Sequence, residues 1–237
     1  MVVAIKCIDM STRVLLVRHA QTFGNIEGRF CGHSETELTP LGIAQARALG
    51  LRLAAEKIDG AVCSDLSRAR LTAEAVLESH GDIVPAFDAG LREMYYGEWE
   101  AMLGTDVRAL HPELMRSFFL GGIEGAPGGE SIAEVRTRTA AAMLRAAELH
   151  RNGTVLIVSH GNAIMAMLAE VLGLPLERTW AFSIENTSVS RLLVTSKGHV
   201  TIQSLNDAAH IHGLAEATIP RPFEFGQESV TTSAVTA

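Results

Sequence analysis

Two histidines each follow a short apolar run of the chain. Arg18 and His19 come directly after Arg13–Val17 (RVLLV), and only Ser159 separates His160 from Thr154–Val158 (TVLIV). A neutral imidazole is a capable nucleophile, and the planar fork of arginine suits a phosphate or a carboxylate. Both places therefore indicate nucleophilic or anion-binding chemistry, although a lone histidine at a strand end is more often structural. The polar or small residues beside them are Thr22, Asn25, Gly161 and Asn162.

The two apolar runs are predicted to be buried strands of one sheet. A helix over about 162–172 follows the second run, so His160 lies beside a helix N-terminus, where free N–H groups favour an anion. Gly161 allows the backbone to approach closely there. Because ligands bind beyond the carboxyl ends of the strands in such sheets, we expect both histidines to face one site.

Two further stretches carry candidate side chains. Ser64–Ala73 places Arg68 in the first turn of a helix, so that it faces the same edge of the sheet, whereas Arg70 lies about 200° further round and points elsewhere. Leu91–Glu100 contains three acidic residues, and spacing alone does not single out one of them.

Strands and helices alternate along the chain, which predicts an α/β fold: a three-layer sandwich with a mostly parallel central sheet and helices on both faces. Thr39 and Pro40 are typical of a helix start. The predicted strands are 13–17, 61–63, 83–86, 154–158, 189–195 and 199–205. The predicted helices are 39–55, one capped by Ser64 or Ser67 and ending near 77, 130–149 and 162–172.

Two segments fall outside this alternation. Gly97–Gly129 is glycine-rich and weakly periodic, which predicts an insertion or lid over the site. Residues 214–237 are predicted to be a partly disordered tail because they are polar and rich in small residues. We therefore expect one domain over residues 1–213.

Composition excludes several classes of protein. The chain has 237 residues, 47% of them hydrophobic, and a formal charge of −7, which argues against binding to nucleic acid or to an anionic membrane. No apolar run reaches the roughly 18 residues of a membrane span, and the start of the chain lacks signal-peptide features. Three cysteines without a CxxC pair argue against a disulfide scaffold or structural zinc. These features predict a cytoplasmic protein.

Four motifs, in this order, resemble those of the histidine phosphatase superfamily, also called phosphoglycerate mutase-like. The pattern Arg-His-Gly-x-Thr-x-x-Asn is similar to Arg18–Asn25, and Ser-x-Leu-x-Arg-Ala-x-x-Thr is similar to Ser64–Thr72. Leu-x-Glu-x-x-x-Gly-x-Trp-Glu is similar to Leu91–Glu100, and Ser-His-Gly matches Ser159–Gly161. Two glycines of the family pattern are replaced, by Ala20 and Ala101.

The resemblance implies a role for each motif residue. His19 would attack phosphorus and become phosphohistidine, and Glu93 would protonate the leaving oxygen and later activate water. Phosphoryl oxygens would be bound by Arg18, Asn25, Arg68 and His160, and further substrate contacts would come from Thr22, Gly32, Gly161 and Asn162. No metal or other cofactor is implied, because the arginines neutralise the charge.

Three functions remain open. The favoured one is a phosphatase for a small phosphate ester, since Pro127–Ser131 and Asn186–Ser190 resemble phosphatase signatures. The second is a cofactor-dependent phosphoglycerate mutase, which Gly28–His33 resembles in spacing, although the insertion lacks the paired arginines and proline run of mutases. The third is a phosphoryl-binding module without turnover. A homodimer is a further candidate assembly.

Overall fold

The computed structural model describes residues 11–120 and 125–214, in which six strands form one sheet. The order across the sheet is β3-β2-β4-β1-β5-β6. The strands are β1 (Ser11–Arg18), β2 (Gly60–Cys63), β3 (Ala86–Phe87), β4 (Thr154–Ser159), β5 (Val189–Thr195) and β6 (Val200–Asp207).

The sheet is mostly parallel, as predicted. β1, β2, β3 and β4 run parallel to one another, whereas β5 pairs antiparallel with β1 and with β6. Arg18 is in register with Ser159 in the β1–β4 pair. His19 and His160, the next residues, therefore leave the sheet side by side.

Seven α-helices lie in the described part of the chain. Thr39 caps α2 by accepting a hydrogen bond from Gly42, and Ser131 forms a capping box with Glu134 at the start of α6. The helices are α1 (Phe23–Glu27), α2 (Pro40–Leu53), α3 (Ser67–Leu77), α4 (Gly104–Leu110), α5 (Pro112–Phe119), α6 (Ile132–Leu149) and α7 (Gly161–Val171).

Helices cover both faces of the sheet because the central strands are apolar on both sides. In β1, Val14 and Leu16 point to the face covered by α6 and α7. Leu15 and Val17 point to the opposite face, covered by α2 and α3. This alternation confirms the predicted three-layer sandwich.

Two local predictions are wrong. β3 comprises Ala86–Phe87 rather than residues 83–86. Pro85, which has no N–H to give to a ladder, precedes it. The N-cap of α3 is Leu66, without a side-chain hydrogen bond, so neither Ser64 nor Ser67 caps that helix.

The insertion predicted over Gly97–Gly129 contains the helices α4 and α5. It packs around a third apolar cluster, in which Trp99, Met115 and Phe118 are almost completely buried. Its residues 121–124 lie outside the described part of the chain, as do residues 215–237 of the predicted tail. The division into a domain of residues 1–213 and a tail stays a prediction. Within the described ranges, no helix is long and apolar enough to span a bilayer.

Candidate active site

A cavity of about 480 Å³ lies where β1 and β4 end. Eight of the ten residues predicted for the site line it; the other two, Gly32 and His160, contact Arg68. The eight are Arg18, His19, Thr22, Asn25, Arg68, Glu93, Gly161 and Asn162.

His19 is buried and presents one defined nitrogen to the cavity. Its Nδ1 lies 2.7 Å from the carbonyl oxygen of Ala20, which can only accept, so Nδ1 carries the proton. Burial, with a smaller contribution from Arg68 and Arg18, holds the pKa of His19 well below its usual value. The ring is therefore neutral, and the lone pair on Nε2 is left for the cavity that the ring lines.

The guanidinium of Arg18 is hydrogen-bonded to the backbone at one nitrogen and has no protein partner at another. Its Nη1 donates to the carbonyl oxygen of Ile184 at 2.6 Å, while its buried Nε has no protein partner. Burial lowers the pKa of Arg18, and the charge of Glu93 opposes that shift. An unpartnered N–H on a buried cation is a donor that an anion in the cavity could satisfy.

Arg68, in the first turn of α3, is almost completely buried. Its Nη2 donates to the carbonyl oxygens of Cys31 and Gly32, and Nη1 donates to that of Ser34. Nε donates to His160 Nδ1 at 3.1 Å. Four of the five guanidinium N–H groups are thus engaged, and the fifth, on Nη1, is left for a ligand. Arg70 is exposed and does not line the cavity, as predicted; its guanidinium lies over the Phe87 ring.

His160 lies behind Arg68, with both ring nitrogens engaged. Nδ1 accepts from Arg68, so the proton is on Nε2, which lies 2.8 Å from Ser64 Oγ. Burial, then the charge of Arg68, holds the pKa of His160 well below its usual value. In this geometry His160 fixes the orientation of the Arg68 guanidinium.

Glu93 lies at the N-terminus of α7. Its Oε1 accepts from the backbone N–H groups of Met94 and Ala163, and Oε2 accepts from that of Asn162 at 3.1 Å. The carboxylate therefore satisfies two free N–H groups in the first turn of the helix. Oε2 accepts only one of these bonds, so it is the oxygen with capacity left for a proton.

Asn25 and Thr22 form a capping box at the start of α1. Asn25 Oδ1 accepts from the Thr22 N–H and from Asn186 Nδ2, so its amide N–H groups are available to the cavity. Asn186 Nδ2 also donates to the carbonyl oxygen of His19. Asn186 thus joins the two motif residues, a role that the sequence analysis missed although the signature Asn186–Ser190 pointed to the segment.

Two predicted glycines lie in close packing, which excludes a side chain at Gly32 and leaves little room for one at Gly161. The backbone of Gly161 lies against Arg18: a Cβ there would stand 3.3 Å from Arg18 Cζ. Gly32 packs on Glu100 and on the carbonyl oxygen of Met94, where a Cβ would come within 2.2 Å of both. Gly161 therefore leaves room for the Arg18 guanidinium, and Gly32 supplies a carbonyl oxygen to Arg68.

An ion pair outside the four motifs holds the backbone that carries Glu93. Arg138, on α6, pairs with both carboxylate oxygens of Glu130 and donates to the carbonyl oxygens of Gly90, Arg92 and Glu93. Glu130 in turn accepts from the Tyr95 N–H at 2.8 Å. We call Arg138 and Glu130 the Glu93 clamp. The sequence analysis missed Arg138; the phosphatase signature that includes Glu130 was the available signal.

Among the described residues, no group of three or more His, Cys, Asp or Glu side chains is arranged to hold a metal ion. The charges in the cavity come from arginine and glutamate, a set that suits an anionic ligand.

The comparisons with known proteins agree with the site. A family model for the histidine phosphatase superfamily (branch 1) matches residues 14–208. The adenosylcobalamin/alpha-ribazole phosphatase of Escherichia coli (strain K12) is 30% identical over 201 residues, covering 83% of this chain and 97% of its own. A probable phosphoglycerate mutase GpmB of Citrobacter koseri is 34% identical over 206 residues, covering 84% and 94%.

A solved structure shares the fold of this chain. Bacillus stearothermophilus YhfR superposes with a TM-score of 0.79 at 30% identity, covering 84% of this chain and 99% of its own. The chain therefore belongs to the histidine phosphatase superfamily and is an enzyme of the phosphoric monoester hydrolase class, as its four motifs predict.

Proposed function

We propose that this protein hydrolyses a small phosphorylated metabolite through a phosphohistidine intermediate and without a metal ion. The observation that carries the proposal is the state of His19: its ring is neutral, its Nδ1 proton is held by the Ala20 carbonyl oxygen, and it lines the cavity. A nucleophile of this kind needs no further base to activate it.

In the first step, the lone pair on His19 Nε2 forms a bond to phosphorus and the bond from phosphorus to the ester oxygen breaks. Glu93, as a carboxylic acid, gives its proton to that oxygen, so the alcohol leaves neutral. In the second step, Glu93 takes a proton from water as the water oxygen attacks phosphorus. The P–N bond breaks, inorganic phosphate leaves, and Glu93 is again protonated.

The charges of the site support this cycle. With Glu93 protonated and both histidines neutral, Arg18 and Arg68 contribute two positive charges, which match the two negative charges of a phosphate monoester. The open N–H groups of Arg18 and Asn25, and the fifth N–H of Arg68, are donors for the oxygens of phosphorus. Positioning and charge stabilisation are most of what phosphoryl transfer requires.

The direct experiment combines phosphate release with trapping of the intermediate. The protein, freed of metal with a chelator, is mixed with 32P-labelled phenyl phosphate and quenched in base, which preserves phosphohistidine. We expect phosphate release with multiple turnovers and a label on the peptide that contains His19. Release that is lost with chelator, or a label on another residue, would contradict the proposal.

The mutase remains the second candidate because a relative carries that name. Interconversion of 2- and 3-phosphoglycerate that depends on bisphosphoglycerate and proceeds without phosphate release would establish it instead. The cytoplasmic location and the homodimer stay predictions.

A further inference from the structure

Six apolar or aromatic side chains line the cavity. Phe30, Tyr96, Phe119 and Trp180 belong to the apolar cluster of the insertion, and Met165 and Phe182 pack against the core cluster of α6 and α7. We call these six residues the aromatic wall. We call Arg18, His19, Asn25, Arg68 and Glu93 the phosphoryl cluster. The wall adjoins it: Tyr96 OH accepts from Asn162 Nδ2 at 2.6 Å, and Ile184, whose carbonyl oxygen accepts from Arg18, lies two residues after Phe182. Met165 lies one turn after Gly161 on α7, and both line the cavity.

Phe118 packs behind three residues of the wall, Tyr96, Phe119 and Trp180. Trp180 Nε1 donates to the carbonyl oxygen of Phe118 at 2.9 Å, and the two rings lie 5.5 Å apart, tilted by 35°. Phe118 itself is completely buried and packs edge-on against Phe119, with 5.0 Å between centroids. A surface that is fixed before binding loses little side-chain entropy when a ligand covers it.

Few charged side chains line the cavity outside the phosphoryl cluster. Among the described residues that line the cavity, the charged ones are Arg18, Arg29, Arg68 and Glu93. Arg29, the one cation outside the phosphoryl cluster, pairs with Glu27 and donates to the carbonyl oxygen of Ala101 at 2.9 Å. A second anionic group on a substrate would therefore meet apolar rings or compete with Glu27.

We propose that the wall is the leaving-group subsite and that the preferred substrates are monoesters whose alcohol carries a flat apolar group and no second anion. The proposal rests on the phosphomonoesterase function above and deepens it. Apolar area buried against the wall favours such an alcohol, while a carboxylate there would lose water without gaining a cation.

The test compares kcat/KM for benzyl phosphate, glycerol 2-phosphate and 3-phosphoglycerate, which are all alkyl esters, so that the leaving oxygens are chemically similar. We expect the benzyl ester to exceed the glycerol ester by about 10- to 100-fold, and 3-phosphoglycerate to be the poorest. Phe182→Ala should lower the benzyl-to-glycerol ratio about tenfold. The matched control is Phe87→Ala, a half-exposed ring on β3 outside the cavity, which should keep the wild-type ratio. A ratio that Phe182→Ala changes by less than twofold would overturn the proposal.

Binding of phosphonates, which are not hydrolysed, tests the subsite separately from the phosphatase function on which the inference rests. Calorimetric titration of the wild-type protein with benzylphosphonate and with phosphonoacetate needs neither turnover nor a folded variant. We expect benzylphosphonate to bind about tenfold more tightly or better. Equal or tighter binding of phosphonoacetate overturns the subsite even if esters are hydrolysed. Absence of hydrolysis with tight benzylphosphonate binding overturns the function and leaves the subsite standing.

Discussion

The ends of β1 and β4 carry the same residue in nearly the same surroundings, yet they use it differently. His19 and His160 are both buried, their ring centroids are 5.1 Å apart, and burial lowers the pKa of each. At the β1 end, the imidazole is held by its neighbour's carbonyl oxygen through Nδ1 alone. At the β4 end, Arg68 and Ser64 engage both nitrogens.

In the proposed mechanism, this difference would separate a reacting histidine from a supporting one. A histidine with one ring nitrogen hydrogen-bonded to the backbone can offer the other nitrogen to a substrate. A histidine with both nitrogens hydrogen-bonded fixes the positions of its two partners relative to each other. The β1 end would therefore supply the nucleophile, and the β4 end would orient Arg68 and, through the N-terminus of α7, Glu93.

The largest effect should come from removing each histidine in turn. His19→Ala should lower kcat for phenyl phosphate by about 10⁴-fold or more, and His160→Ala by about 10²-fold, because the first loses the nucleophile and the second a support. Rapid-quench labelling should still find phosphohistidine in His160→Ala. His199→Ala, on the exposed turn between β5 and β6, serves as the control. A greater loss in His160→Ala than in His19→Ala would reverse the assignment.

Glu93→Gln tests the residue that the N-terminus of α7 holds in place. The amide keeps the size of the side chain but cannot donate the acidic proton, so kcat/KM for an alkyl ester should fall by about 10²- to 10⁴-fold. For 4-nitrophenyl phosphate, whose leaving oxygen needs no proton, kcat/KM should fall far less. Equal losses for the two esters would mean that Glu93 supports the helix and transfers no proton.

The Glu93 clamp should have a smaller effect. Arg138→Met frees the backbone of residues 90–93, so we expect kcat to fall about tenfold with little change in KM, and Arg138→Lys to restore part of it. Arg145→Met, on the same helix with an exposed ion pair to Asp88, is the matched control. A lower melting temperature with unchanged kcat would show that the clamp serves stability alone.

The smallest effect concerns pH, and here the two histidines should be equal. Each has a folded pKa below its unfolded value of about 6.5, so each contributes stability that is present above that pH and is lost as pH falls below it. His19→Gln and His160→Gln should each reduce the loss of unfolding free energy between pH 6.5 and 5.5 by about 1 kcal/mol. Urea unfolding at the two pH values measures this loss of unfolding free energy. A variant that loses as much as the wild-type protein would contradict the neutral state of the histidine that it replaces.

Much of this arrangement could be predicted from sequence because it depends on local patterns. The apolar runs of β1 and β4 and the cap at Thr39 are short-range signals, and the predicted bounds of these elements lie within a few residues of the observed ones. The convergence of His19 and His160 followed from the geometry of parallel strands.

The rest depends on pairings that no local pattern encodes. Arg138 meets Glu93 across 45 positions of sequence, and His160 meets Ser64 across 96. The helices α4 and α5 comprise only 7 and 8 residues and lie in the glycine-rich segment, to which the sequence analysis assigned no elements. Ala101 is a further case: its φ of 61° lies in the left-handed region, which explains the glycine of the family pattern but not the alanine here.

Because Glu93 accepts the N–H groups of Asn162 and Ala163, these two amide protons in the first turn of α7 should respond when a proton binds to the Glu93 carboxylate. A proton arriving on the carboxylate weakens these two bonds, and the amide proton resonances of both residues should move upfield together. These two amide resonances can therefore show whether Glu93 carries the proton. They can be compared between the resting enzyme and a trapped phosphoenzyme, without a label added at the site.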